Sequence, residues 1–290
     1  MSKRGVSLVG IKDADTIRLI REKYPDCYFE LSYASTEKEL EEVLPLIKDR
    51  VASIHSLSPR RSFFPNLASK NSYKISEAEV LKDAELALSI GAENLILHPG
   101  YLVDGVVSSE YKARLEQLKS LKLNNYLIDK ENEICSPEYI ESTLYKDRFK
   151  LLAENAVRLN EKVKSMGLNL CLENLNPRAG YMLLTPGECL ELASLGLDLC
   201  LDIGHLEINS IIFGFDLFEK AKRILDSGRV KSMHLHSNES KEGLYVDSHK
   251  SLYKYIPFWK ELCTYAESKN SNLILEVVED VYENVTKLMA

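Results

Sequence analysis

Eight short apolar segments alternate with eight amphipathic segments along the chain. The apolar segments, predicted strands, cover residues 5–10, 27–33, 51–57, 94–98, 168–174, 197–202, 230–236 and 273–278. The amphipathic segments, predicted helices, cover residues 13–23, 36–49, 76–90, 142–166, 185–194, 216–227, 256–269 and 280–289. Strict alternation predicts parallel strands, and eight of them favour closure into a (β/α)8 TIM barrel. We predict an α/β protein with one barrel domain over residues 1–290.

Local signals support several of these helix boundaries. Residues 36–39 and 76–79 have the spacing of a capping box, and Thr185 precedes Pro186 at a predicted first helical position. Gly91 and Gly167 stand where helices are expected to stop.

Two long loops follow predicted strands. One covers residues 56–73, and the other is an insertion after the fourth strand, residues 101–141, with a predicted extra helix at 108–121. Loops on this side of a barrel border its active site. We expect the insertion to act as a lid-like segment that shapes access to a site.

Composition narrows the class of protein. The formal charge of −7 and the pI of about 5.5 weigh against the overall basic field of most nucleic-acid binders, although bound divalent metals would reverse the local field. The six cysteines form no CxxC pair and are expected to be buried free thiols. The first residues lack a signal peptide, and no apolar run is long enough to span a bilayer. We expect a cytoplasmic protein without a membrane partner.

Metal-capable side chains stand at or just after the C-terminal ends of six strands. A lone histidine in a strand is usually a satisfied core residue, but so many buried ionisable groups at one level would be costly without a shared partner. We predict a metal centre. The candidate ligands are His55, His98, Glu173, Asp202, His205, His234, Asp247, His249 and Glu276.

The donor types restrict the metal. Imidazoles and carboxylates without a thiolate suit Zn, Mn or Fe(II) better than Ca or Mg. About nine ligands exceed the needs of one ion, so we expect two or three metals. Zinc is the first expectation, with manganese and iron as alternatives.

Four short motifs carry a resemblance to a known family. They are His98-Pro-Gly100, Asp202-Ile-Gly-His205, Met233-His234-Leu235 and Asp247-Ser-His249. With Glu173 and Glu276, they make the chain resemble the xylose-isomerase-like TIM-barrel superfamily, which contains endonuclease IV together with sugar isomerases and epimerases. The resemblance covers the whole predicted barrel.

The resemblance implies a division of the ligands among three metals. His55, His98 and Glu173 would hold the first metal. Glu173 would bridge to a second metal, whose other ligands would be Asp202, His234 and Glu276. His205, Asp247 and His249 would hold a third.

The chain also departs from the endonuclease IV pattern. Asn174-Leu-Asn-Pro-Arg178 stands where those proteins have Asn-Thr-Ala-Gly, and Asp202-Ile-Gly-His205 replaces Asp-Thr-Cys-His. The insertion has no counterpart there. These differences concern the substrate more than the metals.

Two enzyme functions follow. The first hypothesis is a metal-dependent phosphoester hydrolase resembling endonuclease IV, acting on abasic-site DNA, in which Glu173 orients a metal-bound hydroxide. The alternative is a sugar or sugar-phosphate isomerase or epimerase, in which Glu173 or Glu276 moves a proton next to a carbonyl and the histidines bind sugar hydroxyls. A multinuclear iron oxidase is a weaker option, and a non-catalytic binding module is the weakest.

Four further side chains are predicted to bind substrate. Arg60 and Arg61 would grip a phosphate, although a solvated loop accounts for them equally well. Arg178 would reach a substrate anion, with a salt bridge at the rim as the alternative. His236 shares a strand face with His234. Glu30 is expected to be structural, and no protein partner is implied.

Overall fold

Eight parallel strands form a closed barrel. The computed structural model describes residues 2–11 and 13–290. In chain order the barrel strands are Arg4–Ser7, Tyr28–Leu31, Val51–His55, Asn94–Leu97, Asn169–Glu173, Asp198–Asp202, Val230–Leu235 and Asn272–Leu275. Each strand pairs in parallel with its neighbour in the sequence, and the eighth pairs with the first through Arg4 and Leu273. The predicted (β/α)8 fold is confirmed.

Helices surround the barrel, and several lie within the loops that follow its strands. They are α1 (Ala14–Lys23), α2 (Glu37–Ile47), α3 (Tyr73–Ser89), α4 (Tyr111–Lys119), α5 (Thr143–Ser165), α6 (Pro186–Ser194), α7 (Ile203–Phe213), α8 (Leu217–Leu225), α9 (Leu252–Tyr255), α10 (Trp259–Ser268) and α11 (Val281–Met289). Short 3-10 helices cover Asn124–Tyr126 and Pro137–Tyr139. Among the described helices, none combines the length and the apolar character that a bilayer crossing requires.

Three predicted helix boundaries meet different outcomes. The predicted capping box at Thr36 is confirmed, and Pro186 is the first residue of α6 as predicted. Each of Thr36 and Thr185 caps its helix, because its side chain accepts from the backbone N–H three residues on. The box at Ser76 is wrong: α3 already begins at Tyr73, and the Ser76 hydroxyl accepts from the backbone of Asn66 instead. The predicted helix over residues 256–269 corresponds to α10, which begins at Trp259, and the short helix α9 before it was not predicted.

Helix α7 was not predicted, and it follows the sixth strand without a loop. Asp202 is the last residue of the strand and caps the helix, since its Oδ1 accepts from the backbone N–H of His205 at 2.7 Å. One side chain therefore ends the strand and starts the helix, which places His205 in the first helical turn.

The barrel interior changes from apolar to polar towards the C-terminal ends of the strands. A small cluster of Ile96, Cys171 and Cys200 fills the interior between the fourth, fifth and sixth strands. Ser53 and Ser232 are fully buried in the same interior region. All six cysteines are buried free thiols, as predicted. Small side chains at this depth leave room for the longer charged ones one step further along each strand.

The insertion is held firmly against its surroundings. Its segment Val107–Ser108 pairs antiparallel with Phe63–Phe64 from the first long loop. A second small sheet within it pairs Leu127–Asp129 with Ile134–Cys135. On the other side, Leu118 of α4 packs on Gly180, where a Cβ would lie 2.4 Å from the Leu118 Cδ2 and φ is +92°. The insertion is therefore a fixed wall at the C-terminal end of the barrel.

The first long loop is anchored by Asp83 of α3. The Asp83 carboxylate accepts from the Ser56 hydroxyl at 2.7 Å and from the Ser58 backbone at 3.1 Å. Arg61 lies 3.7 Å from the same carboxylate. Burial raises the pKa of Asp83 to about 6 despite these contacts. The loop is thus fixed to the outer helix by a group that holds its proton more tightly than an exposed aspartate.

We predict that Asp83→Asn changes how stability depends on pH. An unfolded aspartate titrates near pH 4, so the native protein keeps this proton after the unfolded chain has lost it. The contribution of protonated Asp83 to the free energy of unfolding is therefore fully present below about pH 4 and is lost as pH rises through about 6. Between these values the variant should gain up to about 3 kcal/mol of unfolding free energy relative to the wild type.

Urea unfolding at several pH values across that range measures the difference. The exposed Asp147 of α5 supplies the control, because Asp147→Asn should track the wild type at every pH. A constant difference between Asp83→Asn and the wild type would contradict the prediction.

Candidate metal centre

Four ligand atoms from four neighbouring strands converge inside the barrel mouth. Glu173 and Asp202 end the fifth and sixth strands, His234 lies in the seventh, and Glu276 follows the eighth. One donor atom from each lies within 4.8 Å of every other. His234 Nδ1 is 3.1 Å from Glu276 and 3.5 Å from Glu173. We refer to these four residues as the central cluster.

Glu30 fixes the orientation of His234. The His234 Nε2 donates to the Glu30 carboxylate at 3.1 Å, and the Ser53 hydroxyl donates to the same group at 2.6 Å. With Nε2 committed to this bond, Nδ1 is the nitrogen that faces the centre. A carboxylate behind a ligating imidazole sets its tautomer and raises its basicity. Glu30, predicted to be structural, is a positioning residue of the centre.

Glu173 joins the central cluster to two further histidines. Its Oε2 lies 3.0 Å from His55 Nε2 and 3.6 Å from His98 Nε2. The rings of His55 and His98 meet edge to face with centroids 4.8 Å apart. Among the described residues, one ligand atom each from His55, Glu173 and His234 lies within 4.8 Å of the other two. His98 is not part of this group, although the predicted first metal site includes it.

A second group of four side chains lies beside the first. His205, His236, Asp247 and His249 each offer one donor atom within 4.8 Å of the others. The Nε2 atoms of His205 and His249 are both 3.3 Å from Asp247. Their Nδ1 atoms donate to the carbonyls of Asn174 at 2.9 Å and Glu276 at 2.8 Å. We call this group the lateral cluster. It contains the predicted third site and adds His236.

Asn238 fixes the conformation of the loop that carries Asp247 and His249. The Asn238 side-chain oxygen accepts from the backbone N–H groups of Ser248 and His249 at 2.7 and 3.2 Å. His249 has a φ of +46°, in the left-handed region that non-glycine residues rarely occupy. Such strain persists where surrounding contacts over-determine it, and it gathers at functional sites.

Three carboxylates of the two clusters are held ionised, those of Glu173, Glu276 and Asp247. Burial acts to raise the pKa of Glu173, but His234, His98 and His55 outweigh it and the net pKa falls well below the ordinary value. Glu276 behaves alike, with His234 as the largest opposing charge. The pKa of Asp247 is also lowered, against burial, by His249 and His205. Three negative groups are thus available at neutral pH.

The imidazoles divide into two kinds. Burial opposes protonation of His98, His205 and His249, and for His98 it prevails and lowers the pKa to about 3. For His249 the charge of Asp247 prevails and raises the pKa to about 10. Asp202 and Asp247 similarly raise the pKa of His205, against burial. In the absence of a cation, protons on these histidines therefore balance the carboxylates.

The unpaired donor atoms fit a bound cation. Both Glu173 oxygens, His55 Nε2, His234 Nδ1, His236 Nδ1 and Asp247 Oδ1 are buried without a hydrogen-bond partner. Buried polar atoms in native proteins are nearly always satisfied, so six such atoms around two points call for a shared partner. Divalent metals that accept nitrogen and oxygen donors satisfy all of them at once.

Gly204 makes room for His236. The His236 ring lies on the glycine, so that a Cβ there would be 2.1 Å from His236 Cε1. The ring is fully buried, donates from Nε2 to Asp202 at 3.1 Å, and stacks on His249 with centroids 3.9 Å apart. The glycine of the Asp-Ile-Gly-His motif is therefore a packing requirement of the lateral cluster. His236, predicted to bind substrate, lies among the candidate ligands below the cavity.

A cavity of about 350 Å³ opens above the two clusters. Glu173, Glu276, His98, His205 and His249 reach its floor. Its walls come from both long loops and from the loop after the fifth strand, and they include Phe64, Tyr111, Arg114 and Arg178. Tyr111 and Arg114 were not predicted as site residues, because nothing in the sequence fixes which face of the extra helix turns inward.

The three predicted substrate-binding arginines are not placed alike. Arg178 lines the cavity as expected. Arg61 donates to Glu79 at 3.3 Å and lies outside the described cavity wall, and Arg60 is exposed. Substrate binding by Arg60 and Arg61 stays a prediction.

We predict that Gly204→Ala destabilises the protein. The new methyl group would overlap the buried His236 ring, and overpacking of this kind costs about 1–3 kcal/mol of unfolding free energy. Gly187→Ala is the matched control, because its Cβ would meet only Thr185 Oγ1 at 3.8 Å. Urea unfolding of both variants measures the difference. Equal stability of the Gly204 variant and the wild type would contradict the assigned packing.

Comparison with known proteins yields likeness in structure only. No protein-family model and no curated protein match the sequence. A D-tagatose 3-epimerase-like protein superposes with a TM-score of 0.62 at 18% identity, over 99% of this chain and 94% of that one. The 3-keto-D-glucoside 4-epimerase of E. coli gives 0.60 at 13%, over 100% and 98%.

A third structure extends the likeness to a sugar complex. D-psicose 3-epimerase from Clostridium cellulolyticum H10, solved with D-tagatose, gives a TM-score of 0.59 at 14% identity over 98% of this chain and 89% of that one. Identities this low establish the fold alone. The chain shares the (β/α)8 barrel fold of these three proteins, which is the fold that the resemblance in its sequence implies.

Proposed function

We propose that the protein is a metal-dependent sugar isomerase or epimerase that moves a proton next to a carbonyl. The observation that carries this proposal is the central cluster at the floor of a small cavity. Its four donors, Glu173, Asp202, His234 and Glu276, would hold one divalent ion. The three similar structures named above carry the names of sugar epimerases or of an epimerase-like protein, which supports this function over phosphoester hydrolysis.

The size and enclosure of the cavity support a small substrate. A volume of about 350 Å³ is at the lower end for small-molecule pockets. The insertion walls one side and is joined to the first loop through the pairing of Val107–Ser108 with Phe63–Phe64. A duplex needs an open, positively charged surface, whereas this chain is acidic overall. These features favour a sugar over DNA.

The proposed mechanism rests on two carboxylates, Glu173 and Glu276, that lie beside the same nitrogen of His234. A divalent ion bound there would polarise a carbonyl and the neighbouring hydroxyl of the sugar. Glu173 and Glu276 are ionised, and each lies within 3.5 Å of His234 Nδ1. One carboxylate would take the proton from the carbon beside the carbonyl, and the other, having first taken up a proton from solvent, would return that proton to the carbon. Return from the opposite side inverts the carbon, which is epimerisation.

Loss of one carboxylate should therefore remove turnover while the fold remains. Glu276→Gln should lower kcat on ketose epimerisation by about 100-fold or more, since positioned acid–base groups contribute about 10²–10⁴-fold. The exposed Glu283 of α11 provides the control, and Glu283→Gln should leave kcat unchanged. A screen of neutral and phosphorylated ketoses with Mn, Co, Mg or Zn measures the activity. No interconversion of any ketose by the wild type would contradict the proposal.

A second function is favoured by one specific observation. The lateral cluster offers further donors beyond the central four, and His55 and His98 add two more beside Glu173. An isomerase with one ion does not need them as ligands, whereas a three-metal phosphoester hydrolase of the endonuclease IV type would. In that case clustered metals would activate water and stabilise both oxygens of the displacement.

Metal content and DNA cleavage distinguish the two functions. Elemental analysis is expected to give about one divalent ion per chain under the first proposal and about three zinc ions under the second. Under the first proposal, cleavage of an abasic-site duplex should stay at the level of a metal-free control. Cleavage that falls at least tenfold in His249→Ala would establish the hydrolase instead.

A further inference from the structure

Two arginines in the cavity wall form no ion pair with a described carboxylate. Arg114 belongs to α4 of the insertion and Arg178 to the loop after the fifth strand. Across residues 2–11 and 13–290, no carboxylate forms an ion pair with either guanidinium. Glu133 affects Arg178 only through longer-range charge. Both cations therefore line the cavity without a local counter-ion.

Neutral groups hold each guanidinium in place. Arg114 Nη1 donates to the carbonyls of Ser108 and Ser109, both at 3.3 Å, and its guanidinium lies over the Phe64 ring at 5.1 Å. Arg178 Nη1 donates to the Tyr111 hydroxyl at 2.9 Å, and the same ring lies 5.7 Å from its guanidinium. The Nε of Arg114 is buried without a hydrogen-bond partner. Most of the five N–H donors of each group remain unused.

Several arginines outside the cavity, by contrast, are paired with acids. Arg4 pairs with Glu267, Arg61 with Glu79 and Arg148 with Asp104. The pattern at the cavity is different, because aromatic rings and carbonyls position the cations and leave their charge uncompensated. A preorganised guanidinium of this kind suits a planar, two-point bond to a carboxylate or phosphate.

We propose that Arg114 and Arg178 bind an anionic group of the substrate, a phosphate ester or a carboxylate. This inference rests on the proposed sugar chemistry and narrows it to acidic sugars. The central cluster takes the carbonyl end of the molecule, and the arginines in the wall take its charged end. Because Arg114 comes from the insertion, that segment determines specificity as well as enclosing the site.

Binding of three matched sugars to the metal-loaded protein tests the proposal. Glucose, glucose 6-phosphate and glucuronate share a ring and differ at one carbon, so calorimetry on this series isolates the anionic group. At least one acidic sugar should bind the wild type tenfold or more tighter than glucose, as expected of charge-assisted bonds. Preference for the phosphate or for the carboxylate identifies which anion is recognised.

The variants separate anion binding from support of the insertion. Arg114→Gln and Arg178→Gln should each weaken binding of the acidic sugar about tenfold or more, and the double variant should bind all three sugars alike. Arg178→Lys should keep part of the preference, because the charge remains. Tyr111→Phe removes the hydroxyl that accepts from Arg178 but keeps both charges, so it should weaken binding of the acidic sugar less than Arg178→Gln does. Lys112→Gln, on the same helix, is the charge control.

The outcomes distinguish this inference from the function on which it rests. Equal binding of all three sugars by the wild type, or an unchanged preference in the double variant, would overturn the anion site. A loss in Tyr111→Phe as large as in Arg178→Gln would also overturn it, since support of the insertion would then explain the effect. Arginine-dependent preference without turnover of any ketose would keep the anion site and reject the isomerase.

Discussion

Glu173 is the group on which the rest of the site depends. Its carboxylate is almost fully buried, and it lies within 3.6 Å of nitrogen atoms from four histidines, His55, His98, His205 and His234. A carboxylate at this depth is costly unless charges of opposite sign surround it. The barrel supplies them from several strands at once, and a divalent cation would take over the role that protons have in its absence.

The scaffold orients these groups before any ligand arrives. His234 is held by Glu30, His205 by the carbonyl of Asn174, and His249 by the carbonyl of Glu276. In each imidazole one nitrogen is committed to the protein, and the other faces a cluster. Such preorganisation reduces the entropy lost on binding and fixes the geometry of the site. The strained backbone of His249 is part of the same arrangement.

The fold and most of the candidate site residues could be predicted from the sequence, and the elements that were missed depend on contacts that the sequence does not reveal. Alternation of strands and helices predicted the barrel, and strand-end positions predicted which metal-capable side chains the structure brings together, because both depend on local periodicity. Helix α7 was missed because Asp202 both ends the strand and caps the helix, so no loop residues separate the two elements and signal a helix start. Arg114 was missed because the inward face of α4 depends on packing against Gly180, a contact distant in sequence.

The His236 ring fills the space that a side chain at position 204 would need, so the residue at one position limits which residues the other can hold. A residue with any side chain at 204 excludes the imidazole as it now lies, and loss of the imidazole leaves a void that a larger neighbour would fill. Glycine at the first position together with histidine at the second would therefore mark, from sequence alone, chains of this fold that can build the same lateral cluster.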